Sequence, residues 1–515
     1  MTYTSPSPSV EIADEDIASH VLAGVDDAKV VLVDGPSGRE ITGRELKGAV
    51  RGLAAGLAAR GIGHGDVVAL YMPNIPEYAI AFHGVCAAGA VNTTANPLYT
   101  ARELTHQLED SGAKLLITVP AFLEAAREAA DAAGLDEVFV VGEAEGATPF
   151  KALIADPADA PSPSVDPSED LAVLPYSSGT TGLPKGVMLT HRNLVANMTQ
   201  TQATLQTGAD DVLIAVLPFF HIYGQTVIMN LGLRAGATIV TMPRFDLDQF
   251  LSLIAERGVT RAYVVPPIAL ALAKHPAVDE ADLSSLELIM SGAAPLGSEL
   301  ASAVAQRVGC PVMQGYGLTE TSPVTHLVPP ADSEGRGGKI GKPLPDTEAR
   351  VVDPETCEDA DRGELWIRGP QVMKGYLNNA EATAATIDRD GWLHTGDVAE
   401  VDADGHFEIV DRLKELIKYK GFQVPPAELE GLLLNHPHVQ DAAVIGVPDD
   451  EAGELPKAFL VASDEVSDEE IMEWVAEQVS PQKRVRLVER VDEIPKSPSG
   501  KILRRVLAER EAAGA

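Results

Sequence analysis

Apolar positions along the first half of the chain alternate between two rhythms. Short blocks at Val30–Val33, Asp66–Met72, Leu115–Val119 and Glu137–Val141 read as buried strands. Between them, Leu46–Leu57, Ile75–Ala88 and Phe122–Ala133 carry apolar residues at helical spacing, and Gly61, Gly63 and Gly65 stop the first of these helices. The alternation resumes with Leu171–Pro175, Val212–Leu217, Ile239–Met242, Phe250–Arg257, Ala262–Val265 and Leu286–Ser291. Strands separated by helices of this length predict parallel sheet, so the fold class is α/β. Residues 1–20 read as a loose arm, and the Pro- and Asp-rich piece Asp156–Asp170 as a surface loop. From Pro323 to Asp411 the blocks shorten and Gly and Asp turns crowd in, which predicts a β-rich subdomain. After Arg412 the pattern is mixed α+β: a hairpin, a helix over Pro426–Leu434, strands, a helix over Glu469–Val479 and a basic end.

At 515 residues the chain exceeds what one core normally organises. The net charge of −36 disfavours nucleic acid and anionic lipid as partners. Cys86, Cys310 and Cys357 stand far apart, so neither a zinc site nor a disulfide framework is expected, and buried free thiols are. The acidic start MTYTSPSPSVEIADEDIA does not read as a secretory signal, and no apolar run is long enough to span a membrane. A cytoplasmic protein is the expectation.

Six stretches carry chemistry. YSSGTTGLPKGV, Tyr176–Val187, packs hydroxyls and glycines ahead of Lys185, between a strand and a helix that Thr190 can cap. Ser177, Ser178, Gly179, Thr180, Thr181 and Gly182 with Lys185 make a plausible phosphate cradle. Gly186 stands where a Walker A loop needs Ser or Thr. LPFFHIYG sets His221 and Tyr223 among apolar neighbours. QGYGLTET, Gln314–Thr321, offers a turn through Gly315, Tyr316 and Gly317 that a flat ligand can approach, and Glu320 is a hard oxygen ligand suited to Mg²⁺ held with phosphates. HTGDV supplies Asp397, able to accept two ribose hydroxyls. In DRLKELIKYKGFQV a strand after Glu415 would put Lys418 and Lys420 on one face. PKSPSGKILRR carries Lys501 behind a Pro/Ser/Gly loop. Each stretch alone also reads as an ordinary loop, core histidine, cap or basic tail. Six in this order are not well explained as accidents.

Taken together, the motifs resemble the adenylate-forming acyl- and aryl-CoA ligases over about residues 20–510, and LPFFHIYG, SGAAPLG (Ser291–Gly297) and GYGLTETSPV are most similar to the 4-coumarate–CoA ligases and their bacterial relatives. The resemblance implies a large N-terminal domain, residues 1–412, of two αβ-sheet subdomains plus the β-rich one. A small C-terminal domain, 413–515, would rotate on a hinge near Lys414. It implies an AMP-forming acid–thiol ligase. A carboxylic acid, of 4-coumarate or cinnamate type, is activated by ATP and Mg²⁺ to acyl-AMP and passed to coenzyme A.

By the same resemblance the glycine loop holds the β- and γ-phosphates, Thr319 touches the α-phosphate, and Tyr316 stacks on adenine. Asp397 and Arg412 fix the ribose, Gln314 lies at the nucleotide, and Glu320 holds the metal. Lys501, with His221 and Thr319, serves the first step. After rotation Lys418 and Gln423 would contact the adenylate, and Lys420 and Gly421 coenzyme A. Tyr223, Val227, Ala293, Gly315, Pro323 and Val324 would line the acyl pocket, with the Tyr223 hydroxyl available to a phenol. Other readings are a medium- or long-chain fatty acyl-CoA ligase, an enzyme that loads a carrier protein, and a non-catalytic nucleotide-binding protein. A monomer or homodimer is expected.

Overall fold

The strand blocks assemble into two large sheets in the computed structural model, which describes residues 1–177, 184–332, 338–449, 451–497 and 500–514. In the first, Leu171–Ser177, Val91–Thr94, Val67–Tyr71, Ala113–Thr118 and Val138–Val140 run parallel as neighbours, and Lys185–Thr190 adds an antiparallel strand beside Leu171–Ser177. In the second, Val312–Gly317, Leu288–Ser291, Arg261–Val264, Val212–Ala215, Thr238–Thr241 and Val30–Asp34 run parallel. One apolar core joins both sheets, with Leu53, Val68, Phe82, Ile214 and Phe250 completely buried. Burying each such side chain contributes about 1.5–3 kcal/mol, the dominant favourable term of the fold.

The predicted helices form within a few residues of their expected ends: Gly43–Ala59, Pro76–Ala87, Leu123–Ala133 and Leu247–Arg257. Thr190 caps the helix His191–Leu205, its hydroxyl accepting the Asn193 N–H. The β-rich segment is a sheet of Glu348–Val352, Arg362–Arg368, Leu393–Val401 and Phe407–Arg412, with one short helix, Ala380–Thr386, beside it. The N-terminal arm is not loose. Tyr3–Thr4 pairs with Glu348–Ala349 at the sheet edge, Tyr3 meets the Phe407 ring edge-on, and the Val10 N–H donates to Asp346. The polar composition of residues 1–20 hid a docking made of strand pairing, an aromatic contact, the Val10–Asp346 hydrogen bond and the N-terminal amine on Asp359. Cys86 and Cys310 are buried, as expected, but Cys357 is exposed in a turn at φ +58°.

Residues after Lys414 have their own core around Leu429, Val444, Leu460 and Ile471. Gly453–Ala462 and Val439–Asp449 pair there, and the hairpin Ile417–Tyr419/Phe422–Val424 joins their edge. The helix Pro426–Asn435 starts at Pro425, which offers no side-chain cap. Its Ala427 N–H donates instead to Asp411 Oδ2 at 2.8 Å, from the last strand before Lys414. Among the described residues no helix is long and apolar enough to cross a membrane.

Candidate active site

The carboxyl ends of the central strands open on a cavity of about 560 Å³, the place where parallel α/β sheets collect ligands. At one end the strands Leu171–Ser177 and Lys185–Thr190 return antiparallel, Ser177 opposite Lys185, so the glycine loop leaves and re-enters at one point. Ser177 and Lys185 line the cavity. Ser178, Gly179, Thr180, Thr181 and Gly182 lie outside the described residues. The Lys185 ammonium sits 4.9 Å from the centre of the Tyr376 ring. The Tyr376 hydroxyl donates to Glu320 Oε1 at 2.8 Å, and Thr319 and Glu320 face the cavity from the single turn Thr319–Thr321.

Gly315, Tyr316 and Gly317 also line it, at the end of Val312–Gly317. A side chain on Gly317 would run into the Pro323 carbonyl, which explains glycine there. The Tyr316 hydroxyl donates to Asp397 Oδ2 at 2.6 Å, and Arg412 Nε lies 3.3 Å from Asp397 Oδ1. Desolvation pushes the buried Asp397 carboxyl upward, against the pull of Arg412 and Tyr316. Asp397 faces an adjoining cleft that shares Tyr316, Arg412 and Lys501 with the cavity. Gln314 is buried, and its amide grips the Leu296 backbone in both directions, at 2.8 and 2.9 Å. It therefore shapes the Ala293–Leu296 loop rather than lining the main cavity.

At the other end Tyr223, Ala293, Gly315, Pro323 and Val324 line an apolar region, joined by Met290 and Gly292. Val227 does not: the π-helical turn Tyr223–Asn230 points it into the core, where it is fully buried. The Tyr223 hydroxyl donates to the Met290 carbonyl at 3.3 Å, which leaves its oxygen free to accept from a phenol. A Cβ on Gly292 would lie 2.8 Å from the Tyr223 ring, so glycine lets the ring lie there. Ala293 holds φ +69°, a conformation that favours glycine. His221 Nδ1 accepts the Tyr223 N–H at 3.3 Å, and burial with the nearby Lys501 charge lowers its pKa to about 4, so the imidazole is neutral.

Lys414 and Lys501 complete the lining. Burial and Arg412 pull the Lys501 ammonium down to about 8, opposed by Glu415 and Asp397. The hairpin residues Lys418, Lys420, Gly421 and Gln423 are not in this cavity's lining. Lys418 and Gln423 pair across the hairpin, but Lys420 and Gly421 form its turn at φ +49° and +84°. The strand thus ends at Tyr419, and Lys420 does not share a face with Lys418 as alternation predicted. That turn type needs left-handed backbone at both positions.

Among the lining residues outside the motifs, Glu364 and Tyr376 make polar contacts that shape the site. Between the pairs Glu364–Val398 and Trp366–His394 the sheet register shifts, and Thr395 and Gly396 of the bulged segment line the cavity. Glu364 supports it, accepting the Gly396 N–H at 2.9 Å and the Trp366 Nε1–H at 2.8 Å. Tyr376 bridges Lys185 and Glu320 as above. Neither spacing nor composition marks these two.

The donor set fits a nucleotide: Lys185, Arg412 and Lys501 are cations around a cavity with glycine-lined walls. Glu320 fits a magnesium ion that arrives with phosphates, since such an ion takes one or two carboxylates and leaves the rest to phosphate and water.

Comparison with known proteins agrees with this chemistry. Residues 22–377 match the AMP-binding enzyme family and residues 428–501 its C-terminal domain. A 4-coumarate–CoA ligase, number 3 of Oryza sativa subsp. japonica, is 46% identical over 95% of this chain and 90% of its own length. Among solved structures, the anthranilate CoA ligase AuaEII in complex with anthranoyl-AMP superposes with a TM-score of 0.90 at 27% identity, covering 98% of this chain and 99% of that one. ATP-bound MatB from Rhodopseudomonas palustris gives a TM-score of 0.88 at 31% identity, covering 97% and 99%. The chain belongs to the AMP-binding enzyme family, sharing with the CoA ligases among its relatives nearly its whole length.

Proposed function

We propose that the protein joins an aryl-propenoic acid of 4-coumarate or cinnamate type to coenzyme A at the expense of ATP. One observation carries this reading: Lys501, from the last part of the chain, lines the same cavity as Arg412, Thr319 and His221, together with the cation Lys185 and the apolar Met290 and Val324. A cavity that holds cations and an apolar lining together suits the meeting of a carboxylate with the α-phosphorus. The likeness to plant 4-coumarate–CoA ligases supports the choice of acid and acceptor.

In the first step a carboxylate oxygen attacks the α-phosphorus and pyrophosphate leaves with the P–O bond electrons. Both reactants are anions, so the approach is governed by charge. Lys501 and Thr319 stabilise the α-phosphate oxygens, and Lys185 with the glycine loop holds the outgoing phosphates. Asp397 and Arg412 hold the ribose, and Tyr316 lies against the adenine. Magnesium held at Glu320 supplies charge neutralisation to the phosphates when bound. The neutral His221 borders the carboxylate without adding a second charge. In the second step the coenzyme A thiol, its proton released to solvent, attacks the acyl carbon, and AMP leaves with the electrons of the acyl C–O bond. A turn of the C-terminal domain about Lys414 withdraws Lys501 and brings in Lys418, Lys420, Gly421 and Gln423. A flat aromatic acid suits the apolar lining of Tyr223, Met290, Gly292 and Val324.

The test is a panel of cinnamate, 4-coumarate, benzoates and fatty acids with ATP and Mg²⁺, with and without coenzyme A, read by mass. Hydroxycinnamoyl-CoA is the expected product. Fatty acyl-CoA alone overturns the choice of acid, and pyrophosphate without any thioester overturns the choice of acceptor.

A further inference from the structure

Lys185 and Glu320 face one cavity with opposite charges. Opposite charges in a poorly hydrated cavity attract, and a direct pair would take the cation from phosphate and the carboxylate from a metal ion. Among the described residues no ion pair joins them. Tyr376 touches both: its ring receives the Lys185 ammonium at 4.9 Å, and its hydroxyl donates to Glu320 Oε1 at 2.8 Å.

We propose that Tyr376 is a positioning residue that holds Lys185 and Glu320 apart, keeping one available to nucleotide phosphate and the other to the divalent cation that accompanies it. The inference rests on the function proposed above. The backbone is built for the task. The Met373 N–H donates to the Glu320 carbonyl at 2.9 Å, while the Lys374 and Leu377 N–H groups donate to the Met188 and Gly186 carbonyls at 3.0 and 2.8 Å. The segment 373–377 is therefore stitched to both elements that carry the charges. Thr383 Oγ1 accepts the Tyr376 N–H at 2.9 Å, and only 7% of the tyrosine is exposed, so the ring has little freedom to leave. The two contacts also have suitable strength. A cation over an aromatic face is held more loosely than in a buried ion pair, so an incoming phosphate can draw the lysine away. A phenol on one carboxylate oxygen leaves the other oxygen for a metal.

The test uses the full-length protein, Tyr376→Phe and Tyr376→Leu, with nucleotide affinity measured calorimetrically for ATP in EDTA and for ATP with MgCl₂. Tyr376→Phe keeps the ring and loses the hydroxyl. It should bind ATP in EDTA as the wild type does, while the gain in affinity on adding magnesium shrinks about three- to tenfold. Tyr376→Leu loses both contacts and should weaken ATP in EDTA as well, by about fivefold or more. A purely structural role predicts that both conditions weaken together in both variants. An unchanged magnesium gain in Tyr376→Phe overturns the proposal, and because that variant removes a single oxygen it stays informative even where Tyr376→Leu does not fold. Wild-type protein that binds no ATP overturns the proposed function itself, a different outcome.

Discussion

Raising the pH should switch off acid activation while the protein remains folded. Burial and the neighbouring Arg412 lower the Lys501 ammonium to about 8, against about 10.4 for an ordinary lysine. The difference corresponds to about 3 kcal/mol favouring the neutral amine in the folded chain. The unfolded chain keeps that proton to higher pH, so between about 8 and about 10.4 it binds more protons and Lys501 makes stability rise with pH. Activity should move the other way. The charged fraction of Lys501 is about 0.9 at pH 7 and about 0.1 at pH 9, so kcat/KM for acyl-AMP formation should fall about tenfold across that interval. Bound anions favour the ammonium, so the same limb in kcat should lie at higher pH. Acid-dependent exchange of labelled pyrophosphate into ATP, followed across this range, reads the step directly. Lys501→Arg stays charged throughout and should lose the limb at a lower rate. Lys501→Ala should cost about 10²–10³ in exchange and still make thioester from supplied acyl-AMP. Equal loss of both half-reactions in Lys501→Ala, or the same limb in Lys501→Arg, refutes the assignment.

Ala293→Gly removes a side chain from a left-handed backbone position, where non-glycine residues are strained by about 1–2 kcal/mol, and adds unfolded-state entropy. A net stabilisation of about 0.5–1 kcal/mol and a lower KM for ring-substituted acids should follow. Calorimetric Tm with KM for paired substituted and unsubstituted acids checks it, and an unchanged Tm counts against the strain. Lys418→Ala should leave pyrophosphate exchange within about twofold yet slow thioester formation from isolated acyl-AMP in rapid-quench assays, because the hairpin lies outside the cavity that holds Lys501. Equal slowing of exchange would put the hairpin into the first step.

Much of the fold was legible because block length and period carry it: Val67–Tyr71 is apolar throughout, and Gly43–Ala59 keeps a continuous apolar stripe. The helix Ala101–Ser111 went unread although Thr100 and Glu103 spell a capping box, since only a few of its residues are buried. The motifs named Lys185, Glu320, Arg412 and Lys501, and these four charged side chains line one cavity. Alternation misled at Lys420, where a two-residue turn interrupts the period. Motif position misled at Val227, which a π-helical turn carries into the core. Glu364 and Tyr376 were invisible for a different reason. Their roles come from a register shift and from a segment more than fifty residues past its hydrogen-bond partner Glu320, and neither leaves a local pattern.

The hydrogen bond from Ala427 to Asp411 joins a helix on one side of Lys414 to a carboxylate on the other. If the small domain turns about Lys414 as proposed, a helix whose first turn finds its acceptor at Asp411 keeps that cap only in the present orientation. Turning the small domain would leave that end bare unless the second station offers a substitute, and a missing cap is worth about 1 kcal/mol. The empty enzyme would then wait, by about five to one, with Lys501 already at the cavity, ready for ATP and acid before it is ready for the thiol. The order of the two half-reactions would be written into where a ten-residue helix finds its first acceptor.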